Sequence, residues 1–147
     1  MSWLLVASLV MVAPPRPPSG PPAPPAGQHA DSLMVAAQRA VTLWRRHDFT
    51  GLVSSGEAIM VHLPGAEPSS ALRPSQAAEL LRTFADGTQE LDLSLLVARN
   101  VDPDRAYVEV QRVYRMRGTT DEHTETLYFG FQRVRESYHL VEVRALP

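Results

Sequence analysis

Apolar side chains in the first half of the chain recur at the spacing of an α-helix. The first series occupies the four positions Met34, Ala37, Val41 and Trp44. Intervals of three and four residues predict a helix with one buried stripe. Asp31-Ser32 predicts the N-terminal cap of this helix, and a short second helix or turn is predicted over residues 49–54.

A further helix is predicted after a strand and an irregular loop. Residues 57–63 have strand character, and the Pro, Gly and Ser residues of positions 64–70 predict the loop. Pro74 suits the first turn of a helix, and Gly87 lies just beyond its end. The apolar stripe comprises Ala77, Leu80, Leu81 and Phe84, and the exposed face Glu79, Arg82 and Asp86.

After Gly87 the period changes from helical to alternating, which predicts four strands in hairpin succession. Leu91, Leu93, Leu95 and Val97 lie on one face of the first strand, with Asp92 and Ser94 on the other. Ala106, Val108 and Val110 define the second strand, and a slip near residues 111–113 predicts a bulge there. The third strand carries Leu127, Phe129 and Phe131, and the fourth Val141, Val143 and Ala145, with a turn at Glu136-Ser137 between them.

Segregation of helices from strands predicts an α+β fold. We expect the order α-α-β-α-β-β-β-β, with three helices packed on the concave side of a curved, mostly antiparallel sheet. The open end of such a cone is the expected pocket.

The residues before this domain have two different compositions. Residues 1–13 contain an apolar run from Trp3 to Ala13, which has the length of a signal-peptide core and is too short to span a bilayer. Export to the periplasm or the medium is therefore expected, and the alternative is a misassigned start codon in a cytoplasmic protein. Residues 14–30 are a proline-rich linker, interpreted as an extended tether, and residues 31–147 form the single domain.

Composition excludes several classes of function. All fourteen basic side chains are Arg, yet the formal net charge is -2, which argues against a nucleic-acid partner. The absence of cysteine excludes disulfides, thiolate metal sites and a cysteine nucleophile. Neither a membrane span nor a cofactor is indicated.

Three strings resemble the nuclear-transport-factor-2-like (cone-fold) superfamily. They are Gln38-Arg39 through Asp48-Phe49-Thr50-Gly51-Leu52-Val53, then His62-Leu63-Pro64-Gly65, and the closing Val143-Arg144-Ala145-Leu146. The chain is most similar to small exported members of unknown function, and distantly to ketosteroid isomerases. That resemblance places His62 near the isomerases' proton-shuttling carboxylate. The isomerases' two enolate-stabilising donors fall at Ala40 and within residues 127–131, where neither is present, which argues against that activity.

Several other residues are weaker candidates for a functional role. The candidate pocket-lining residues are Trp44, Arg112, Tyr114 and Phe129. Arg112 and Tyr114 face the pocket unless a bulge intervenes, while Tyr128, His139 and Glu142 are expected to face outward. Asp121-Glu122-His123 with Glu125 has the elements of a metal site, but solvated charge at a hairpin tip is the favoured interpretation, so no metal is predicted.

The favoured function is a binding domain rather than an enzyme. We expect it to bind a small apolar ligand or a protein, and to form a homodimer through the sheet. The alternative is an isomerase, lyase or cyclase acting on a small apolar substrate with His62 as general base. A third hypothesis is a homodimer whose function is interaction through the outer face of the sheet.

Overall fold

A computed structural model of the protein describes Gly20 and residues 27–147, with side chains from residue 32 onward. The predicted leader, residues 1–13, lies outside the described residues, as does most of the predicted linker, residues 14–30. The elements are α1 (Gly27–Arg45), α2 (Phe49–Val53), β1 (Ile59–His62), β2 (Ser69–Leu72), α3 (Pro74–Ala85), β3 (Thr88–Asp102), β4 (Arg105–Met116), β5 (Glu122–Val134) and β6 (Ser137–Leu146). None of the helices described is long and apolar enough to cross a membrane.

Six strands form one mixed sheet in the order β2-β1-β6-β5-β4-β3. Four neighbouring pairs are antiparallel, whereas β1 runs parallel to β6. The buried side chains of α1, α2 and α3 join those of one face of this sheet in a single apolar core. The predicted α+β class with three helices on a sheet is therefore confirmed.

The first helix differs from its prediction in two respects. It begins at Gly27 rather than at the Asp31-Ser32 pair. Its buried stripe is Leu33, Ala37, Ala40 and Trp44. Met34, which was predicted to be buried, is 40% exposed, because the stripe is turned by one residue toward Leu33 and Ala40. Trp44 is fully buried, as its place in the predicted stripe requires.

The strand β2 begins inside the predicted irregular loop, positions 64–70, and continues to Leu72. It pairs antiparallel with β1 at the edge of the sheet. The sequence did not reveal it because the strand is short, polar and without a buried side chain. By contrast, α3 begins at Pro74 as predicted, and Gly87 follows it with a φ of 73°.

The bulge predicted in β4 is located in its neighbour β3. The register of β4 against β5 is uninterrupted from Arg105 to Arg115. In β3 the pairing with β4 shifts at three places, which leaves Leu91, Leu96 and Val101 as extra residues. Because each extra residue reverses the alternation, Val97 pairs with the outward-facing Glu109 instead of sharing the buried face of Leu93.

A similar shift alters β6. Gly130 pairs with Glu142, but the next residue of β5, Phe131, pairs with Leu140, so Val141 is an extra residue. Leu140 is therefore buried with Val143 and Ala145, and Val141 is not, contrary to prediction. The hairpin turn before β6 is centred on residues 135–136, one position earlier than expected.

Candidate functional site

The interior of the cone is filled by large side chains. Trp44, Phe129 and Arg112 are each no more than 1% exposed. The ring centroids of Trp44 and Phe129 lie 6.0 Å apart, and the Arg112 guanidinium lies 5.4 Å from the centroid of the Trp44 ring. Three of the four residues expected to line a pocket are thus packed together in the core, and the fourth, Tyr114, is half-buried at its margin.

Arg112 is the centre of a buried charged group that we call the Arg112 cluster, formed with Thr88, Glu90, Glu125 and His47. Its Nε donates to Glu90 Oε2 at 2.8 Å, its Nη1 donates to Glu125 Oε1 at 2.5 Å, and its Nη2 donates to Thr88 Oγ1 at 2.9 Å. Glu125 lies directly opposite Arg112 on β5, so the pairing follows from the strand register. Glu125 was expected at a solvated hairpin tip, but it is buried in this cluster.

His47 joins the cluster from the end of α1. Its backbone φ of 53° turns the chain between α1 and α2, and its Nε2 lies 3.0 Å from Glu90 Oε1. The imidazole also stacks on Phe49, with ring centroids 5.5 Å apart. Glu90 and Glu125 thus supply two carboxylates to the single guanidinium of Arg112.

The electrostatics of the cluster do not favour proton transfer. Burial alone would raise the pKa of Glu90, but hydrogen bonds and charge interactions with Arg112 and His47 outweigh burial, and the pKa lies below its ordinary value. A carboxylate with a lowered pKa is a weak base at neutral pH. Burial and the charge of Glu125 raise the pKa of Tyr114, whose ring lies 4.1 Å from the Arg112 guanidinium. The cluster therefore resembles a structural ion-pair network.

The opposite face of the sheet carries an open groove of about 710 Å³. We call it the outer-face groove; its central lining residues are Met60, Tyr107, Glu109, Tyr128, Glu142 and Arg144. The pairing of the strands places two neighbouring rows of side chains along this groove. One row runs Tyr107, Gly130, Glu142, Met60, and the next runs Glu109, Tyr128, Arg144, His62.

Gly130 forms the floor of this groove. It lies between Tyr107 and Glu142 in the first row, where a missing side chain leaves a furrow. A Cβ at this position would approach the Cβ of Glu142 to 2.9 Å, so the close spacing requires glycine. The outward orientation predicted for Tyr128 and Glu142 is confirmed, and an ion pair joins Glu142 to Arg144.

His62 lies on the same outer face. It alternates with the buried Ile59 and Val61 along β1 and pairs with Arg144. A side chain on this face points away from the helices, so His62 does not enter the space between the sheet and the helices. His139 pairs with Gln132, next to the buried Leu140, near the start of β6. It also borders a smaller cavity of about 330 Å³ between α1 and β6, which Arg39 and Tyr138 help to line.

No metal site is evident in the part of the chain that the structure describes, where no three His, Asp or Glu side chains are suitably grouped. Of the motif weighed as a metal site, His123 stacks on Tyr114 with ring centroids 5.4 Å apart, and Glu125 bonds to Arg112. Tyr128 and Glu142 were expected on the outward face from the alternation, whereas nothing in the sequence indicated Met60, Tyr107 or Gly130. The furrow over Gly130 could not be predicted, because it depends on the pairing of β5 with β6.

The fold has many relatives among solved structures. A ketosteroid isomerase-like protein from Erwinia carotovora atroseptica superposes with a TM-score of 0.61 and 13% identity, over 78% of this chain and 92% of that one. An NTF2-like protein from Novosphingobium aromaticivorans gives a TM-score of 0.58 and 19% identity, over 80% of each chain. An NTF-2-like protein of unknown function from Shewanella oneidensis superposes with a TM-score of 0.58 and 10% identity, over 79% of this chain and 97% of that one.

These similarities define an α+β protein with the nuclear-transport-factor-2-like fold. The fold predicted from the sequence is thereby confirmed. Sequence identities below 20% show the shared fold but do not assign an activity to this chain. Neither a family model nor a curated protein matches this sequence.

Proposed function

We propose that this protein is a non-catalytic binding domain whose binding surface is the outer-face groove. The observation that carries the proposal is the contrast between an interior filled by Trp44, Phe129 and Arg112 and an open groove of about 710 Å³ on the other side of the sheet. Tyr107, Tyr128 and Met60 supply apolar surface there, and charges of both signs lie beside them. Such a mixture suits a small, largely apolar ligand with a polar end.

A thermal-shift screen of the full chain against apolar metabolites and steroids tests this function. A ligand at about one hundred times its Kd adds roughly 2.7 kcal/mol to the stability of the folded state, which raises the melting temperature measurably. Tyr128→Ala should abolish the shift, while Tyr138→Ala, outside the groove, should retain it. Loss of the shift in Tyr138→Ala alone would move the binding site to the cavity beside α1 and contradict the proposal.

A homodimer through the sheet is a second candidate, favoured by the order of charges on the outer face. Glu109 and Arg144 flank Tyr128 in one row, so two copies related by a twofold axis could pair opposite charges. Sedimentation of the wild type should then show a dimer, and Arg144→Glu should produce monomers. Arg45→Glu, on the exposed side of α1, is the matched control. A monomeric wild type would eliminate this candidate.

Export is part of the proposed function and is supported by the apolar run from Trp3 to Ala13. Full-length protein with a C-terminal tag should be recovered outside the cytoplasm and shortened at its N-terminus. Intact protein in the cytosol would contradict export and favour the misassigned start codon.

A further inference from the structure

We propose that the cavity of about 330 Å³ between α1 and β6 binds a small organic carboxylate through Arg39. We call it the α1 cavity. It lies on the helix side of the sheet, because its walls include Phe131 and Leu140, which belong to the buried core. The outer-face groove lies on the other side of the sheet, so this site is additional to the proposed function and does not depend on it.

The α1 cavity exists because two short side chains face the start of β6. Its lining residues on α1 form one stripe from Ser32 to Leu43, at intervals of three and four residues. Ala36 and Ala40 lie one turn apart on this stripe, so only methyl groups occupy the middle of the helix wall. The volume that remains falls within the range of about 300–1,000 Å³ that is usual for small-molecule pockets.

The apolar walls of the α1 cavity are held in place. Leu52 and Leu140 are each no more than 4% exposed. The ring of Tyr138 meets that of Phe131 edge to face, with centroids 6.5 Å apart, and its hydroxyl donates to Asn100 Oδ1 at 3.1 Å. Because these contacts fix the tyrosine ring before a ligand arrives, little conformational entropy is lost on binding.

The side chains that line the α1 cavity include four serines and no carboxylate. Ser32 donates to the carbonyl of Glu136 and Ser54 to that of Gly51. The hydroxyls of Ser55 and Ser137 make no hydrogen bond among residues 32–147. Free hydroxyl groups can donate to the oxygens of an anion.

Arg39 supplies an uncompensated positive charge beside these apolar walls. It makes no ion pair or hydrogen bond among residues 32–147. Residues 32–47 contain no Asp or Glu, so α1 offers this side chain no acidic partner one turn away.

The charge and shape of the guanidinium indicate the class of ligand. Its parallel N–H groups match the two oxygens of a carboxylate. Water weakens such an ion pair less beside an apolar wall than at an open surface. One unpaired guanidinium compensates one negative charge, which favours a carboxylate over a doubly charged phosphate. The apolar walls require that the carboxylate carry an aromatic or aliphatic body.

Calorimetric titration of the full chain with three compounds of one shape tests this site. Phenylpropanoate, phenylpropanol and phenylpropylammonium share a body and differ in the charge of the head group. We expect phenylpropanoate to bind at least tenfold more tightly than the alcohol, and the ammonium compound to bind more weakly than the alcohol. An increase in ionic strength from about 0.02 M to about 0.5 M should weaken the binding of phenylpropanoate several-fold, because salt screens a partly exposed ion pair. Equal affinities for the three compounds, or no binding of phenylpropanoate at millimolar concentration, would overturn the proposal.

Substitutions on α1 separate the charge from the cavity. Arg39→Gln should reduce the affinity for phenylpropanoate at least tenfold and leave the affinity for phenylpropanol unchanged. Arg45→Gln, on the same helix but outside the cavity lining, should bind as the wild type does. Ala36→Leu fills part of the cavity and should weaken the binding of both compounds. The melting temperature of Arg39→Gln should match that of the wild type, because the side chain has no partner to lose. Undiminished binding of phenylpropanoate to Arg39→Gln would contradict the assignment.

Tyr128→Ala distinguishes the α1 cavity from the outer-face groove. This variant should bind phenylpropanoate with the affinity of the wild type. If Tyr128→Ala loses the carboxylate while Arg39→Gln retains it, the carboxylate occupies the groove, and this inference fails while the proposed function is supported. A groove ligand that is lost in Tyr128→Ala should be unaffected by Arg39→Gln, so the two sites can fail independently.

Discussion

The two faces of the sheet in this protein use charge in opposite ways. On the inner face, Arg112 and its two carboxylates are buried and bonded to one another. On the outer face, Glu109, Glu142 and Arg144 line a groove that is open to solvent. A buried network fixes the positions of the elements that supply it. On the outer face Glu142 and Arg144 pair with each other at the surface, where water and a partner can still reach them. The comparison indicates that the inner face stabilises the fold, whereas the groove on the outer face is open to solvent.

Substitution of Arg112 should produce the largest effect on stability. Arg112→Met leaves the buried side chains of Glu90 and Glu125 without their cation, which typically costs about 3–5 kcal/mol. Arg115→Met, three residues further along β4 but at the surface side of the sheet, should change the free energy of unfolding by less than about 1 kcal/mol. Urea denaturation followed by tryptophan fluorescence measures both. Equal losses would mean that the inner cluster contributes no more than a surface charge.

Removal of the whole cluster sharpens this result. Well-packed apolar replacements of a buried ion network are often neutral or stabilising. A triple variant with Met at position 112 and Leu at positions 90 and 125 should therefore recover most of the stability lost in Arg112→Met. If the triple variant is as unstable as the single one, the cluster does more than satisfy its own charges.

Gly130→Ala should have the second-largest effect. A Cβ at 2.9 Å from that of Glu142 forces the strands to shift, which typically costs about 1–3 kcal/mol. The same methyl group fills part of the furrow, so ligand binding should weaken together with stability. Gly65→Ala, with no atom within 4 Å of its new Cβ, serves as a control for added side-chain bulk, although its φ of 73° adds strain of its own. Unchanged stability in Gly130→Ala would show that β5 and β6 adapt to the side chain.

Acid should affect the inner face through Glu90. A carboxyl with a pKa below its ordinary value of 4.5 contributes stability that is fully present above that value and is lost as the pH falls through the pKa of the folded state. Glu90→Gln should therefore be less stable than the wild type at pH 7, and the difference should shrink as the pH falls below about 4.5. Unfolding at a series of pH values measures it, and a difference independent of pH would contradict the assignment.

The smallest effect on stability is expected on the outer face. Tyr128 is half-buried and faces the groove, so Tyr128→Ala should cost less than about 1 kcal/mol while it abolishes binding. Calorimetric unfolding and the ligand screen together separate the two quantities. A large loss of stability with binding intact would reverse the roles assigned to the two faces.

The periodicity of apolar residues predicted most of this fold. The features that it did not predict depend on the pairing of strands that are distant in the sequence. The positions of α3, β5 and the buried Leu127, Phe129 and Phe131 follow from local periodicity. The bulges of β3 depend on its register with β4. The sequence of one strand does not specify its register with a neighbouring strand.

The candidate sites were harder to predict for the same reason. Arg112 continues the buried positions Val108 and Val110, which indicated its face. Its burial, however, depends on Glu90 and Glu125, which lie 22 and 13 residues away in the sequence. The outer-face groove depends on three strand pairings at once, so Tyr128 could be assigned to a face but not to a furrow.

The three bulges of β3 have a consequence for the behaviour of the protein at high concentration. This strand is fifteen residues long and forms one edge of the sheet, where it exposes Leu96 and Val101. A regular strand of that length would be a template for another chain, but an extra residue at every fifth position interrupts the ladder before a stable pairing can extend. The irregularity that bends the sheet thus also protects its longest free edge from fibril growth.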